Sequence, residues 1–157
     1  MQTLAHIPPA FAIEDLSVEQ ANSKLPNTPH SISEIVAHME FWQRWFLLRI
    51  DGVAEPMVAA AAAGWPEPGD WIGLRDRFLA DTRRAAELGS AASRRIDPSI
   101  DFPPLSDYLV ADALAHVAIH NSHHLGQIIT LRQVAGFVAS GGRKLDLLVG
   151  VKRRREN

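Results

Sequence analysis

Cysteine is absent from the chain. That lack excludes a disulfide scaffold, a cysteine nucleophile, a thiolate zinc site and an iron–sulfur cluster. Long apolar runs are missing as well: none approaches the ~18 residues a membrane span requires, and no secretory signal opens the chain. The expectation is a soluble, cytoplasmic protein without a membrane partner. Strand signals are scarce, with no sustained period-two alternation, and the one Asp-Gly pair, Asp51-Gly52, ends a helical pattern instead of turning a hairpin.

Net charge is also small, at −2, but it is unevenly spread. Residues 1–142 carry 10 Lys/Arg against 16 Asp/Glu, whereas residues 143–157 carry six against two. An acidic body is a poor platform for a phosphate backbone, so nucleic acid is not the expected partner. The run Lys152–Arg155 reads as a solvated basic end. The organisation expected is one domain over 1–142 followed by a basic C-terminal tail over 143–157. With 157 residues, 46% of them apolar types, the chain can bury a full core without covalent staples.

What is present is helical periodicity. One helix is expected from about Ser33 to Asp51, with Ser31 and Glu34 spaced as a capping box and Ile35, His38, Trp42, Trp45, Phe46 and Arg49 recurring on one face. A second is expected over roughly Trp71 to Arg94. The third and longest runs from about Ser106 to Ala135, before Gly136; some 30 residues make a rod of ~45 Å. Ala10–Leu16 reads as the end of an N-terminal helix, residues 20–30 as a loop, and residues 55–63 as a short helix. These elements predict an all-α protein, an antiparallel four-helix bundle, with the site at one end between the second helix and the long C-terminal one.

Seven histidines occur, four of them within nine residues: His116, His120, His123 and His124. At 100° per residue, His116, His120 and His124 span only ~80° of helix surface, in a sector shared with Leu109, Ala113, Gln127, Leu131 and Val134. Imidazoles thus stand where a packing helix wants leucine, and each needs a partner if buried. A divalent ion partners several rings at once, and i, i+4 spacing lets two reach the same ion. His38 lies in an otherwise apolar stripe of another helix and should also point inward. Three imidazoles from two helices make a neutral site with open positions, suited to zinc, nickel or iron(II). The alternative is a core-edge His38 bonded to a backbone carbonyl and a solvated histidine patch on the long helix.

The stretch His116-Val-Ala-Ile-His120-Asn-Ser-His123-His124-Leu-Gly-Gln127 resembles the His-x-x-His-His-x-Gly-Gln signature of the DinB/YfiT superfamily. Ser31-Ile-Ser-Glu-Ile-Val-Ala-His38-Met-Glu-Phe-Trp is similar to the motif of that family's second helix. Together the two cover roughly residues 10–138, departing from the pattern at Pro8-Pro9 and at Leu125. The resemblance implies a four-helix bundle in which His38, His120 and His124 hold a divalent metal. Beside these ligands, His116 is a candidate donor one turn away, His123 a hydrogen-bonded flank, and Gln127 a residue that orients a ligand or a bound water.

Trp65 and Trp71, near a Pro/Gly-rich loop, are candidate walls of a substrate pocket, and Arg49 a candidate partner for an anionic substrate. The resemblance further implies thiol S-transferases and isomerases that use low-molecular-weight thiols; the family also includes hydrolases. Because the chain has no thiol of its own, a small-molecule thiol would be the co-substrate. Rival readings are a non-catalytic metal-binding protein, with a shell closed by His116 or Glu40, and a stress-associated interaction module. Homodimerisation is expected from the resemblance and from apolar Val110, Leu114, Leu125 and Ile128 on the long helix.

Overall fold

A computed structural model describes residues 8–137; the 143–157 tail, the boundary at 142 and His6 lie outside the described residues. Five α-helices are present in that span: α1 (Pro9–Ile13), α2 (Val18–Asn22), α3 (Ile32–Ile50), α4 (Trp71–Glu87) and α5 (Val110–Ala135). Short 3-10 turns occupy Ala61–Gly64, Leu88–Ala91 and Pro103–Leu105. No strand forms among the described residues beyond a single bridge between Arg95 and Leu109. The all-α expectation holds.

Helix starts follow side-chain chemistry. The Ser31 hydroxyl accepts from the Glu34 amide while the Glu34 carboxylate accepts from the Ser31 amide at 2.6 Å, so two orphan donors of α3 are satisfied together. Asp70 accepts from the Gly73 amide at 2.7 Å and starts α4 at Trp71. Gly136, with φ +71, closes α5 in the left-handed conformation that a residue without Cβ adopts freely.

Four elements differ from the sequence reading. Helix α4 stops at Glu87, not near Arg94, and α5 starts at Val110, not near Ser106. The cause is shared: the Ile96 amide donates to the Tyr108 carbonyl at 3.2 Å and the Val110 amide to the Arg94 carbonyl at 2.8 Å. Both flanks of the loop are thereby committed to pairing and cannot coil. At 26 residues α5 is about 39 Å long. Residues 20–30 are not all loop, since a Ser17–Gln20 capping box nucleates α2. Of the short helix expected over 55–63, one 3-10 turn ending at Gly64 remains.

Helix α3 is central and packs on both α4 and α5, while α1 and α2 lie across one end of the group. The buried side chains form two apolar clusters. One joins Ile32, Val36 and Met39 to Trp71, Phe78 and Ile128; the other joins Trp45, Phe46 and Ile50 to Ile96, Val110 and Val117. His38, His120 and His124 fall between these clusters along α3 and α5, instead of at one end. Val110, Leu125 and Ile128 are buried inside the chain itself, so they offer no apolar surface to a second copy. The long-helix stripe also turns outward at its end, where Val134 is 73% exposed.

Candidate metal centre

His38 sits in the second turn of α3, a helix whose N-terminal half is nearly all buried. Its Nδ1 lies 2.5 Å from the Gly64 carbonyl oxygen. A carbonyl only accepts, so Nδ1 carries the proton and Nε2 is left as a lone pair. Gly64 can supply that carbonyl because it has no side chain: a Cβ there would stand 2.7 Å from Trp42 Nε1. The alternative sequence reading of His38, a carbonyl-bonded ring, is therefore correct about the bond, and the bond is what frees the other nitrogen for a metal.

His120 and His124 are one turn apart on α5. His124 Nδ1 lies 2.7 Å from Gln127 Oε1, an acceptor, which again leaves Nε2 unprotonated. His120 Nε2 lies 3.0 Å from His38 Nε2. Two nitrogens bound to one tetrahedral ion are about 3.3 Å apart, so this spacing is close to that of a ligand pair. The ring centroids of His38 and His124 are 4.8 Å apart, and those of His120 and His124 are 4.6 Å apart. One ligand atom from each of the three residues falls within 4.8 Å of the others. The three rings can hold one metal ion.

Burial favours neutral imidazole at all three. It holds His38 and His124 below the ordinary histidine value, against the opposing effects of the Gly64 and Gln127 hydrogen bonds. His120 is pushed down to about 4, chiefly by burial and then by the other two rings, with the neighbouring Asn121 amide acting in the opposite sense. Neutral rings are the ligand form.

The remaining sequence candidates separate. Gln127 is placed as expected, accepting from His124, and its Nε2 lies 3.3 Å from His123 Nε2, so His123 is a hydrogen-bonded flank on the exposed side of α5. His116 does not reach the ligands: its Nδ1 meets the Tyr108 hydroxyl at 3.2 Å and its ring packs on Phe46. Glu40 pairs with Arg44 and Arg77, away from the three rings. Trp71 is not a pocket wall. It is 1% exposed in the core, and its indole N–H donates to the Leu16 carbonyl, because the Asp70 cap aims the first residue of α4 inward. Arg49 is likewise structural, buried with its guanidinium donating to the carbonyls of Pro98 and Ser99 at 2.8 Å each.

Trp65 does stand at the site. It stacks on His38 with ring centroids 3.9 Å apart and on His30 at the same 3.9 Å. Two rings so close and parallel would overlap on one face, so they take opposite faces, and only the edge of Trp65 is open to a substrate. His30, left unassigned in the sequence, is thus part of the site; its position follows from a loop path that no periodicity reports. A cleft of about 640 Å³ opens beside His124, lined by His30, Trp65, His123, Gln127, Thr130 and Leu131 among others.

The model of the DinB superfamily matches residues 10–128, and the chain belongs to that superfamily. No curated protein and no solved structure matches it. No helix among the described residues is long and apolar enough to cross a membrane.

Proposed function

We propose that this chain is a divalent-metal-dependent enzyme in which His38, His120 and His124 bind one zinc, nickel or iron(II) ion and a small thiol or water completes the shell. The observation that carries the reading is the convergence of three imidazoles, two of which already have their protonation arranged for coordination. Gly64 and Gln127 fix the proton of His38 and of His124 on Nδ1, so both Nε2 atoms are ready as donors. A bound divalent ion among neutral ligands would supply Lewis acidity, favouring the thiolate or hydroxide form of what it holds.

The residues around the triad support an open shell. Among the described residues no fourth His, Asp or Glu joins the group, since His116 and Glu40 are engaged elsewhere. The cleft beside His124 lies within the usual size of a small-molecule site. There Gln127 and Thr130 offer polar contacts, Leu131 an apolar wall, and the Trp65 edge a boundary. With no cysteine in the chain, the thiol of a transferase reaction must come from a low-molecular-weight co-substrate, which a reducing cytoplasm keeps available.

The fold proposed for this enzyme is a four-helix bundle in which α1 and α2 together stand for the first helix. It is not antiparallel throughout, contrary to the sequence expectation, because α4 runs parallel to α3, Gln43 meeting Phe78 and Asp51 meeting Arg84. Of the two long helices packed on α3, only α5 runs against it: the N-terminal half of α3 clusters with the C-terminal part of α5, and its C-terminal half with the start of α5. A non-catalytic, structural metal is the rival reading. Chelation followed by far-ultraviolet circular dichroism and thiol-binding measurements on the same sample separates the two. An enzyme stays helical, because both apolar clusters survive without the ion, and loses thiol binding. A structural site melts on chelation and never binds the thiol.

A further inference from the structure

Behind the three rings lies a buried polar chain that runs from α4 through α3 to α5. Gln43 Nε2 donates to the Phe78 carbonyl at 3.0 Å, and Asn121 Nδ2 donates to Gln43 Oε1 at 2.8 Å. The single Thr82 hydroxyl hydrogen goes to the Phe78 carbonyl at 2.8 Å, while its oxygen lies 3.3 Å from Gln43 Oε1. The order of donors is forced from one end: the Phe78 carbonyl can only accept, so Gln43 presents its amide nitrogen to it and its oxygen to Asn121. Asn121 must then turn its nitrogen to Gln43 and its oxygen away. Gln43 is 1% exposed and Asn121 6%. Amides sunk this deep need a reason, since burying them without full pairing costs free energy.

Two atoms at this place have no hydrogen-bond partner, and they are complementary: Asn121 Oδ1 and His120 Nδ1. Their state follows from the rings described above. His38 keeps its proton on Nδ1, so its Nε2 is a lone pair, and His120 Nε2, 3.0 Å away, must be the atom that carries a hydrogen between them. His120 Nδ1 is then a bare lone pair, and Asn121, the neighbouring side chain, has only its oxygen left to offer, so two acceptors do not bond. Coordination through Nε2 requires the other tautomer, with the His120 proton on Nδ1. In that state His120 becomes a donor beside a buried, unused acceptor.

We propose that Asn121 is a positioning residue for the metal: its Oδ1, aimed by Gln43, accepts the His120 Nδ1 proton when Nε2 turns to the ion. Gln43 and Asn121 thus select the metal-binding tautomer of His120, as Gly64 does for His38 and Gln127 for His124. The proton shifts between the two nitrogens of one ring by exchange with solvent, and none is gained or lost. The inference rests on the metal-binding reading above and goes beyond it, because it assigns a role to two residues that touch no ligand atom of the triad.

The test uses the full chain and zinc alone. Zinc affinity is measured by chelator competition for the wild type, His120→Ala, Asn121→Leu, Asn121→Asp and Gln43→Met, and imidazole nitrogen NMR reads the tautomers of the zinc-loaded wild type. The expected result is a protonated Nδ1 on His120 in the loaded protein, a ten- to hundred-fold affinity loss in Asn121→Leu, a smaller loss in Gln43→Met, and substantial recovery in Asn121→Asp, which retains an acceptor. Equal affinity of Asn121→Leu and wild type, or a loaded His120 bound through Nδ1, overturns the role of Asn121 while leaving the metal reading intact. A folded wild type that binds no zinc overturns both. The NMR measurement needs no variant, so the inference stays testable even where a substitution prevents folding.

Discussion

Trp65 lies flat on His38, with ring planes 9° apart and centroids 3.9 Å apart. A metal ligand is thus clamped between an indole face and the Gly64 carbonyl, which limits both its tilt and its rotation. Trp65 should report on the ion directly. Loading with paramagnetic Co²⁺ or Ni²⁺ is expected to quench its fluorescence, and Trp65→Phe should remove most of that quenching while retaining the ion. Equal quenching in Trp65→Phe and wild type would place the ion elsewhere.

Acid should destabilise the metal-free protein. Unfolded histidine protonates around pH 6.5, whereas folded His120 stays neutral down to about 4, and His38 and His124 are lowered in the same direction. Between those limits the unfolded state binds more protons, so stability declines as pH falls from about 6.5 toward 4. Melting temperatures of metal-free protein at pH 7.5 and 5 should differ by several degrees. His120→Gln should flatten the slope, and an unchanged slope in that variant contradicts the assignment. For the same reason bound metal should persist to a pH below the ordinary histidine range.

Gly64→Val should weaken both fold and site. Its Cβ would meet Trp42 Nε1 at 2.7 Å and two ring carbons at 3.0 Å. Moving the backbone to relieve this displaces the carbonyl that orients His38. The expected cost is about 1–3 kcal/mol in denaturant unfolding, with reduced metal affinity. Gly89→Ala, where a Cβ meets nothing within 4 Å, is the control and should bind metal normally.

Arg49→Met should affect stability alone. The guanidinium satisfies two carbonyls of the 98–99 loop, and their loss is expected to cost about 1–3 kcal/mol. Metal stoichiometry and thiol binding should stay at wild-type values. A selective loss of substrate binding would return Arg49 to the site.

The parts legible in the sequence were those set by local spacing. The Ser31–Glu34 box, the His120–His124 interval and the Gly136 stop are each read within one or two turns of a helix, and all three are present in the structure. The cross-helix placement of His38 was legible because a lone histidine interrupted an apolar stripe. What escaped depends on loop paths. The Gly64 carbonyl, the His30–Trp65 stack and the Arg94–Val110 pairing join distant backbone segments with no periodic pattern. The loop neighbours of Trp71 suggest a pocket wall, but it is the first residue of the helix that Asp70 caps and it packs in the core. The Ser17–Gln20 box of α2 was readable, but a five-residue helix leaves no periodicity to confirm it.

The central claim is that three imidazoles hold one ion. Its most direct test is the metal content of the purified chain, with zinc affinity by chelator competition, for the wild type and for His38→Ala, His120→Ala, His124→Ala and His116→Ala. The account predicts one tightly held divalent ion per chain, severe loss in each of the first three variants, and near-wild-type binding in His116→Ala, whose ring is bonded to Tyr108. Stoichiometric metal with unchanged affinity in His120→Ala would contradict it.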